Sequence, residues 1–476
     1  MGEIRRSPRG GVSHRGARSR TVTDVVVLGA GPAGLYSGLL LAHRGFEVSI
    51  IESGETPGGL ASGLEIAGQR VDRGSHRLHP SIDDDILDDL SSLLGDDLQV
   101  RHRNGRIRLG GSWLRFPLSP TDLVTNLAVS TTARLARGAL AALTRRPDDT
   151  TYESVVTTGL GRPMGDLFYF PYARKIWGAE PDELSGTQAR RRIAADSPLK
   201  LLRKATSRSG GRSFLYPRRG FGQITDALAD AVVDEGATLR LGSPVVGLKP
   251  DDEGWVVRLG NGQNTKAPLV LSTIPLAVLA RLLDPPDEVA AALDGLESRA
   301  MILAYLVVPR ERWTPYDAHY FPEEDLVFTR ISESKNYRDS DEDPPAQTVL
   351  CVEIPVGPEH PLWVGDNQEI LQRVRNDVVT TGLPDPGHFG VVHKLRNVYP
   401  IYRVGTEQNL KTVDRWVGQF SNLLTFGRQG LFAHDNTHHT LAMGRDAVAS
   451  VTSSGRIDDG VWAQSRRSFA THVVED

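Results

Sequence analysis

Apolar positions along the chain fall into two patterns. Short unbroken runs occur at Val25–Leu28, Val48–Ile51 and Leu269–Ser272, with a fourth ending at Phe426. Runs of this kind suit strands buried on both faces, as in a parallel sheet covered by helices. Helical periodicity follows the first run to about Arg44, follows Pro275, and extends from roughly Thr437 to Val451. A further amphipathic helix is predicted from Gln223 to about Glu235, then a strand Thr238–Leu241 and a hairpin through Trp255–Leu259. The segments "LAYLVVP", "HYFPEEDLVFTRISESKNYR" and "TVLCVEIPV" supply strands of a second, mixed sheet.

This order predicts an α/β fold with a discontinuous Rossmann-like domain and a second α+β domain, made of a helical insertion and the mixed sheet. The expected Rossmann-like domain is assembled from residues 23–80, 204–291 and 417–460, and the second from 81–203 and 292–416. Residues 1–22 hold six arginines and no apolar run, and read as a disordered basic tail.

The first strand runs straight into Gly29-Ala30-Gly31-Pro32-Ala33-Gly34 and then a helix. In such a unit the first glycine permits the turn, the second admits a pyrophosphate and the third lets the helix pack closely, with the helix N–H groups facing the phosphates. Glu52 ends the second strand, where an acid hydrogen-bonds ribose hydroxyls and disfavours a 2′-phosphate. A second glycine turn, Thr56-Pro57-Gly58-Gly59-Leu60, follows at once, in place of the further parallel strands of a nicotinamide dehydrogenase. No second strand–glycine–helix unit stands ready for NAD(P)H. The layout therefore favours a flavin.

The set of Gly29 to Gly34, Glu52, Gly58-Gly59, "GSHRLHP", "FPYARKIWGAEPDELS", "YPRRGFGQI", "STIPL" and "FGRQGLFAHDN" resembles the flavoprotein superfamily of amine oxidases, protoporphyrinogen oxidases and UDP-galactopyranose mutases. It looks closest to the protoporphyrinogen-oxidase-like FAD-dependent oxidoreductases, from about Thr23 to Val451. The resemblance implies non-covalent FAD held by Gly29, Gly31, Pro32, Ala33, Gly34, Glu52, Gly58, Gly59, Leu60, Arg77, Val245, Gly427 and Arg428. It also implies that the N-terminus of the last helix faces the flavin pyrimidine, where its dipole stabilises negative charge.

For the chemistry, the resemblance points to His76, Arg428 and Tyr402 as catalytic candidates, and to Tyr172, Lys175, Trp177, Arg219 and Tyr402 as substrate contacts. Tyr172, Lys175 and Trp177 are similar to the tyrosine-x-x-lysine-x-tryptophan string with which the mutases line a nucleotide-diphosphate cleft. The alternative for this segment is that Phe168, Phe170 and Trp177 are core. For His76 and His79 the alternatives are a place by the flavin or a backbone-bonding structural role. No metal site is expected there, because no Asp, Cys or third His stands at ligand spacing.

Composition narrows the partners. A net charge of −4 on 476 residues gives no sign of nucleic acid, and the single cysteine, Cys351, excludes an intrachain disulfide and fits a reducing cytoplasm. No run of apolar residues is long enough to span a bilayer. The amphipathic stretch Asp122–Arg146 is expected to pack inside the second domain, with peripheral contact at a membrane surface as the alternative. The pattern defines no oligomeric state.

Two enzymatic readings stand at this point. The first is an FAD-dependent oxidoreductase that takes a hydride from a small organic substrate onto flavin N5. The alternative is a mutase-like non-redox isomerase that acts through reduced FAD on an anionic, nucleotide-linked sugar. A third, non-enzymatic reading is a flavin-bearing partner protein with vestigial redox activity.

Overall fold

The computed structural model describes residues 23–193 and 213–474. The expected basic tail and the junction between residues 203 and 204 lie outside the described residues. Five parallel strands form the first sheet, in the order Leu423–Thr425, Leu269–Ser272, Val25–Leu28, Val48–Ile51, Thr238–Arg240. Each apolar run is buried on both sides. Val25, Val27, Ile50, Leu269 and Leu271 face one core with helices Pro32–His43, Gln223–Asp234 and Thr437–Ala449. Their neighbours Val26, Leu28, Ile51 and Val270 face another, closed by the hairpin Val245–Asp251/Gly254–Leu259 and by Leu276 and Leu279. A period of two with both faces covered is why these strands are continuously apolar.

The helix Pro32–His43 lies against the strand turn at very short range. A Cβ built on Gly34 would stand 2.0 Å from the carbonyl oxygen of Gly29, so only glycine fits there. Thr437–Ala449 packs on the same helix, and a Cβ on Gly444 would approach the Ala33 carbonyl oxygen to 2.9 Å. Arg44 then ties the two helices by donating to the carbonyls of Val448 and Val451, at 2.6 Å each.

The second sheet has seven strands, in the order Gly390–Pro400, Ser298–Val308, Thr348–Val356, Arg330–Glu333, Ala318–Tyr320, Gly105–Leu109, Ser112–Phe116. It is mixed, as expected: Ala318–Tyr320 pairs parallel with Gly105–Leu109 and the other pairs are antiparallel. Along Ser298–Val308, Ile302, Ala304 and Leu306 face a core capped by helix Asn367–Thr380. The alternate residues Met301, Leu303 and Tyr305 face the first sheet's side of the molecule.

Two differences from the sequence reading are instructive. The region 81–193 is not wholly helical, because Leu98–His102 pairs with Ser213–Pro217 and two hairpin strands extend the mixed sheet. Asp122–Arg146 packs inside only in part. It forms helices Pro120–Asn126 and Val129–Ala142, with Val124, Val129, Leu140 and Leu143 exposed. Of its apolar residues Leu123, Leu127 and Leu135 join a core, because so short a contact accepts only one edge of a broad apolar pattern. Among the described residues no helix is long and apolar enough to cross a membrane.

Because Leu271 is fully buried in the central sheet, Leu271→Ala is expected to destabilise the protein by about 2–5 kcal/mol. Val129→Ala, at a residue 85% exposed, is expected to stay within about 0.5 kcal/mol of the parent. Urea unfolding midpoints of the two variants check this.

Candidate functional site

A cavity of about 690 Å³ opens at the carboxyl ends of the parallel strands and runs to the inner face of the mixed sheet. Ligands of open α/β sheets bind at this place. Its first wall is the glycine turn: Gly29, Gly31, Pro32, Ala33, Glu52, Gly59, Leu60 and Gly427 all line it. Gly31 is bordered by open space, with nothing within 4 Å of where its Cβ would stand. That is the cradle a pyrophosphate requires, at the N-terminus of helix Pro32–His43. The Glu52 carboxylate is positioned by the backbone, accepting from Ala30 N–H at 2.9 Å and Gly54 N–H at 2.8 Å. Gly34 and Gly58 stand behind this wall: Gly34 abuts Gly29, and Gly58 N–H donates to the Ala30 carbonyl at 2.7 Å. Val245 does not line the cavity; its side chain packs on the apolar core beside the hairpin.

Toward the mixed sheet the lining becomes apolar and cationic. Leu60, Met301, Leu303, Leu395 and Val398 supply apolar surface, while Arg73, Arg192, Arg330, Arg396 and Arg428 converge on the same space. Two carboxylates stand at this end, and both are engaged. Glu353 accepts from Arg330 at 2.9 and 2.8 Å and from Ser75 N–H at 2.7 Å. Asp435 faces His472 and His439. The Arg428 guanidinium donates to the carbonyls of Asp435 and Val398, its Nε has no hydrogen-bond partner, and burial pushes its pKa below the ordinary value. Arg192 lies over the Tyr399 ring at 5.1 Å and the Trp177 ring at 6.0 Å.

His76 and Arg77 sit in the cavity wall. The His76 ring stacks on Phe221, with Nδ1 facing the Gly74 carbonyl at 3.3 Å. Burial lowers its pKa to about 4, against the pull of Glu353 and with the push of Arg330 and Arg428, so the imidazole is neutral at neutral pH. Arg77 is held by the hydroxyls of Tyr320 and Tyr337, both at 3.2 Å, and by Asp317 at 3.3 Å.

The remaining expected substrate residues are not brought to the cavity. The Lys175 ammonium is spent on the carbonyls of Phe321, Glu323 and Phe328 at 2.8, 2.7 and 2.6 Å, and burial lowers its pKa to about 7. Trp177 is buried and meets Tyr152 edge-on, reaching the cavity only through Arg192. Tyr172 stacks on Phe168. Here the core alternative for the aromatic segment describes what is seen. Tyr402 is buried and its hydroxyl donates to the Phe432 carbonyl. Arg219 pairs with Glu342 at 3.2 Å in a separate surface depression. Lys175 and Tyr402 look away from the cavity because neighbouring backbone carbonyls claim their polar atoms.

Residues 32–421 match the family described as flavin containing amine oxidoreductase, and the chain belongs to that family. Its sequence is 28% identical over 281 residues to AofH of Mycobacterium tuberculosis, assigned as a flavin-containing monoamine oxidase, covering 55% of this chain and 59% of that protein. Phytoene dehydrogenase of Streptomyces griseus is 26% identical over 296 residues, covering 55% and 56%. The chain thus spans less than two thirds of the length of these curated relatives. In fold it is similar to a crystal structure of reduced UDP-galactopyranose mutase, with a TM-score of 0.79 at 21% identity over 95% of this chain and 100% of that one. FAD is the cofactor of this flavoprotein, and the open space at Gly31 beside the fixed Glu52 carboxylate fits it.

A Cβ at position 31 meets no protein atom within 4 Å, so Gly31→Val would extend its branched side chain into the cradle. The expected result is a folded protein that loses FAD on purification, measured as the flavin-to-protein absorbance ratio beside an unchanged far-UV spectrum.

Proposed function

We propose that the protein is an FAD-dependent oxidoreductase acting on an anionic organic substrate, with an FAD-binding unit drawn from residues 23–80, 204–291 and 417–460 and a substrate unit from 81–203 and 292–416. The observation that carries the substrate class is the convergence of Arg73, Arg192, Arg396 and Arg428 on a cavity end whose carboxylates are already engaged. A cationic amine would meet net repulsion there, and an uncharged polyene would leave the arginine charges without an anionic counterpart. When bound, FAD supplies the hydride acceptor.

The chain's own residues supply the rest. Arg192 and Arg428 bind and orient the anion through charge-assisted hydrogen bonds. Leu60, Met301, Leu303 and Leu395 exclude water from the reacting carbon. His76 faces Gly74 through Nδ1, which leaves Nε2 as the lone pair able to take the substrate's proton. An anion beside it raises the basicity of this ring from its resting value of about 4.

The arginine-lined cavity is also what a mutase-like isomerase acting on a nucleotide sugar would need. Withdrawal of Tyr172, Lys175 and Trp177 from the cavity removes the string that most favoured that reading. Anaerobic mixing of oxidised protein with candidate organic anions separates the two: stoichiometric bleaching of the flavin supports the oxidoreductase. Turnover only after dithionite reduction, with no net electron consumption, supports the isomerase.

Binding variants test the assignment of the anchor. With UDP as a probe anion, Arg192→Ala is expected to weaken the flavin-monitored affinity by about 1.5–3 kcal/mol. Lys175→Met is expected to leave the affinity unchanged and to lower the melting temperature.

A further inference from the structure

We propose that Asp435, His439 and His472 form a binding site for a divalent transition metal, zinc by the chemistry of its donors. The three residues come from the loop before helix Thr437–Ala449, from the first turn of that helix, and from the segment after helix Asp459–Phe469. Their ligand atoms all lie within 4.8 Å of one another. Nδ1 of His472 stands 3.0 Å and Nδ1 of His439 3.4 Å from the same carboxylate oxygen, Asp435 Oδ1. Two ligands about 2.0–2.2 Å from a tetrahedral zinc are roughly 3.4 Å apart, so these separations need little adjustment.

The hydrogen bonding around the cluster points the same way. Asn436 N–H donates to Nδ1 of His439 at 3.4 Å, so this nitrogen presents a lone pair to its surroundings. The same nitrogen stands 3.4 Å from Asp435 Oδ1, with side chains only 14% and 0% exposed, a pairing that calls for a proton or a metal ion between the two. A metal ion would take that lone pair over from the long backbone contact. Both imidazoles crowd Oδ1, while Oδ2 of Asp435 is buried without a hydrogen-bond partner. Two imidazoles and one carboxylate are a donor set suited to zinc, and its fourth position would be left to solvent.

Such an ion would act as a staple. Beyond His472, Val474 lines the cavity and its N–H donates to the Arg191 carbonyl at 2.8 Å, next to Arg192. Binding the C-terminal segment to Asp435 would thereby steady the wall that carries Arg192. The site requires no redox role for the metal and stands independently of the substrate class proposed above.

The test uses FAD-loaded protein stripped with a chelator, dialysed and titrated calorimetrically with zinc chloride, with melting followed in parallel. One equivalent should bind to the parent and raise its melting temperature. His472→Ala, close to the chain end, and Asp435→Asn should weaken binding roughly tenfold or more and abolish the thermal shift. His388→Ala, at an exposed histidine elsewhere, should behave as the parent. Equal zinc binding by parent and His472→Ala, or no binding by the parent, overturns the proposal.

Discussion

Close packing onto the first turn of helix Pro32–His43 is the constraint on which the site depends. Three chain segments meet there: the strand turn at Gly29, the second glycine turn through Gly58, and the C-terminal turn and helix through Gly427 and Gly444. A side chain at Gly34 or Gly444 would collide with backbone oxygen, and one at Gly427 would stand 3.2 Å from the Ala33 Cβ. The cavity is the space left when these segments close as far as backbone contact allows. Gly31 differs from these in facing open space at the cavity wall, which leaves room for a ligand there.

Electrostatics divides the cavity into two ends. At the glycine turn, oriented N–H groups and a carboxylate fixed by Ala30 and Gly54 suit phosphates and ribose. At the mixed sheet, Glu353 neutralises Arg330 and anchors Ser75 N–H, which holds the segment carrying His76. That pairing uses up the acid most able to oppose an anion, and leaves Arg192 and Arg428 facing the cavity from aromatic and carbonyl supports.

The dinucleotide-binding half was legible in the sequence because its signals are local. Apolar runs, glycines and Glu52 lie within one βαβ unit, and the strands Val25–Leu28, Val48–Ile51 and Leu269–Ser272 occur where their patterns place them. The arginine-lined end was legible only in part. His76 and Arg428 line the cavity, but Arg192, Arg330 and Arg396 were not singled out, because their convergence depends on separate elements. One clue was present: Glu353 is a lone acid in the apolar run "TVLCVEIPV", and a buried acid requires a partner. The Tyr172/Lys175/Trp177 string misled because sequence spacing reports which side chains share a helix, not which neighbouring backbone claims them. Lys175 is claimed by three carbonyls of a loop about 150 residues away. Asp435 and His439 stand four positions apart, but His472 lies 33 positions further on and carries no local signal.

The central claim is that the glycine-turn end of the cavity holds a flavin adenine dinucleotide while the arginine end remains available to substrate. Native mass spectrometry of the purified protein, followed by chromatography of what heat denaturation releases, tests it most directly. The account predicts a chain carrying one non-covalent FAD. Release of FMN, or of a nicotinamide nucleotide in place of flavin, would contradict it.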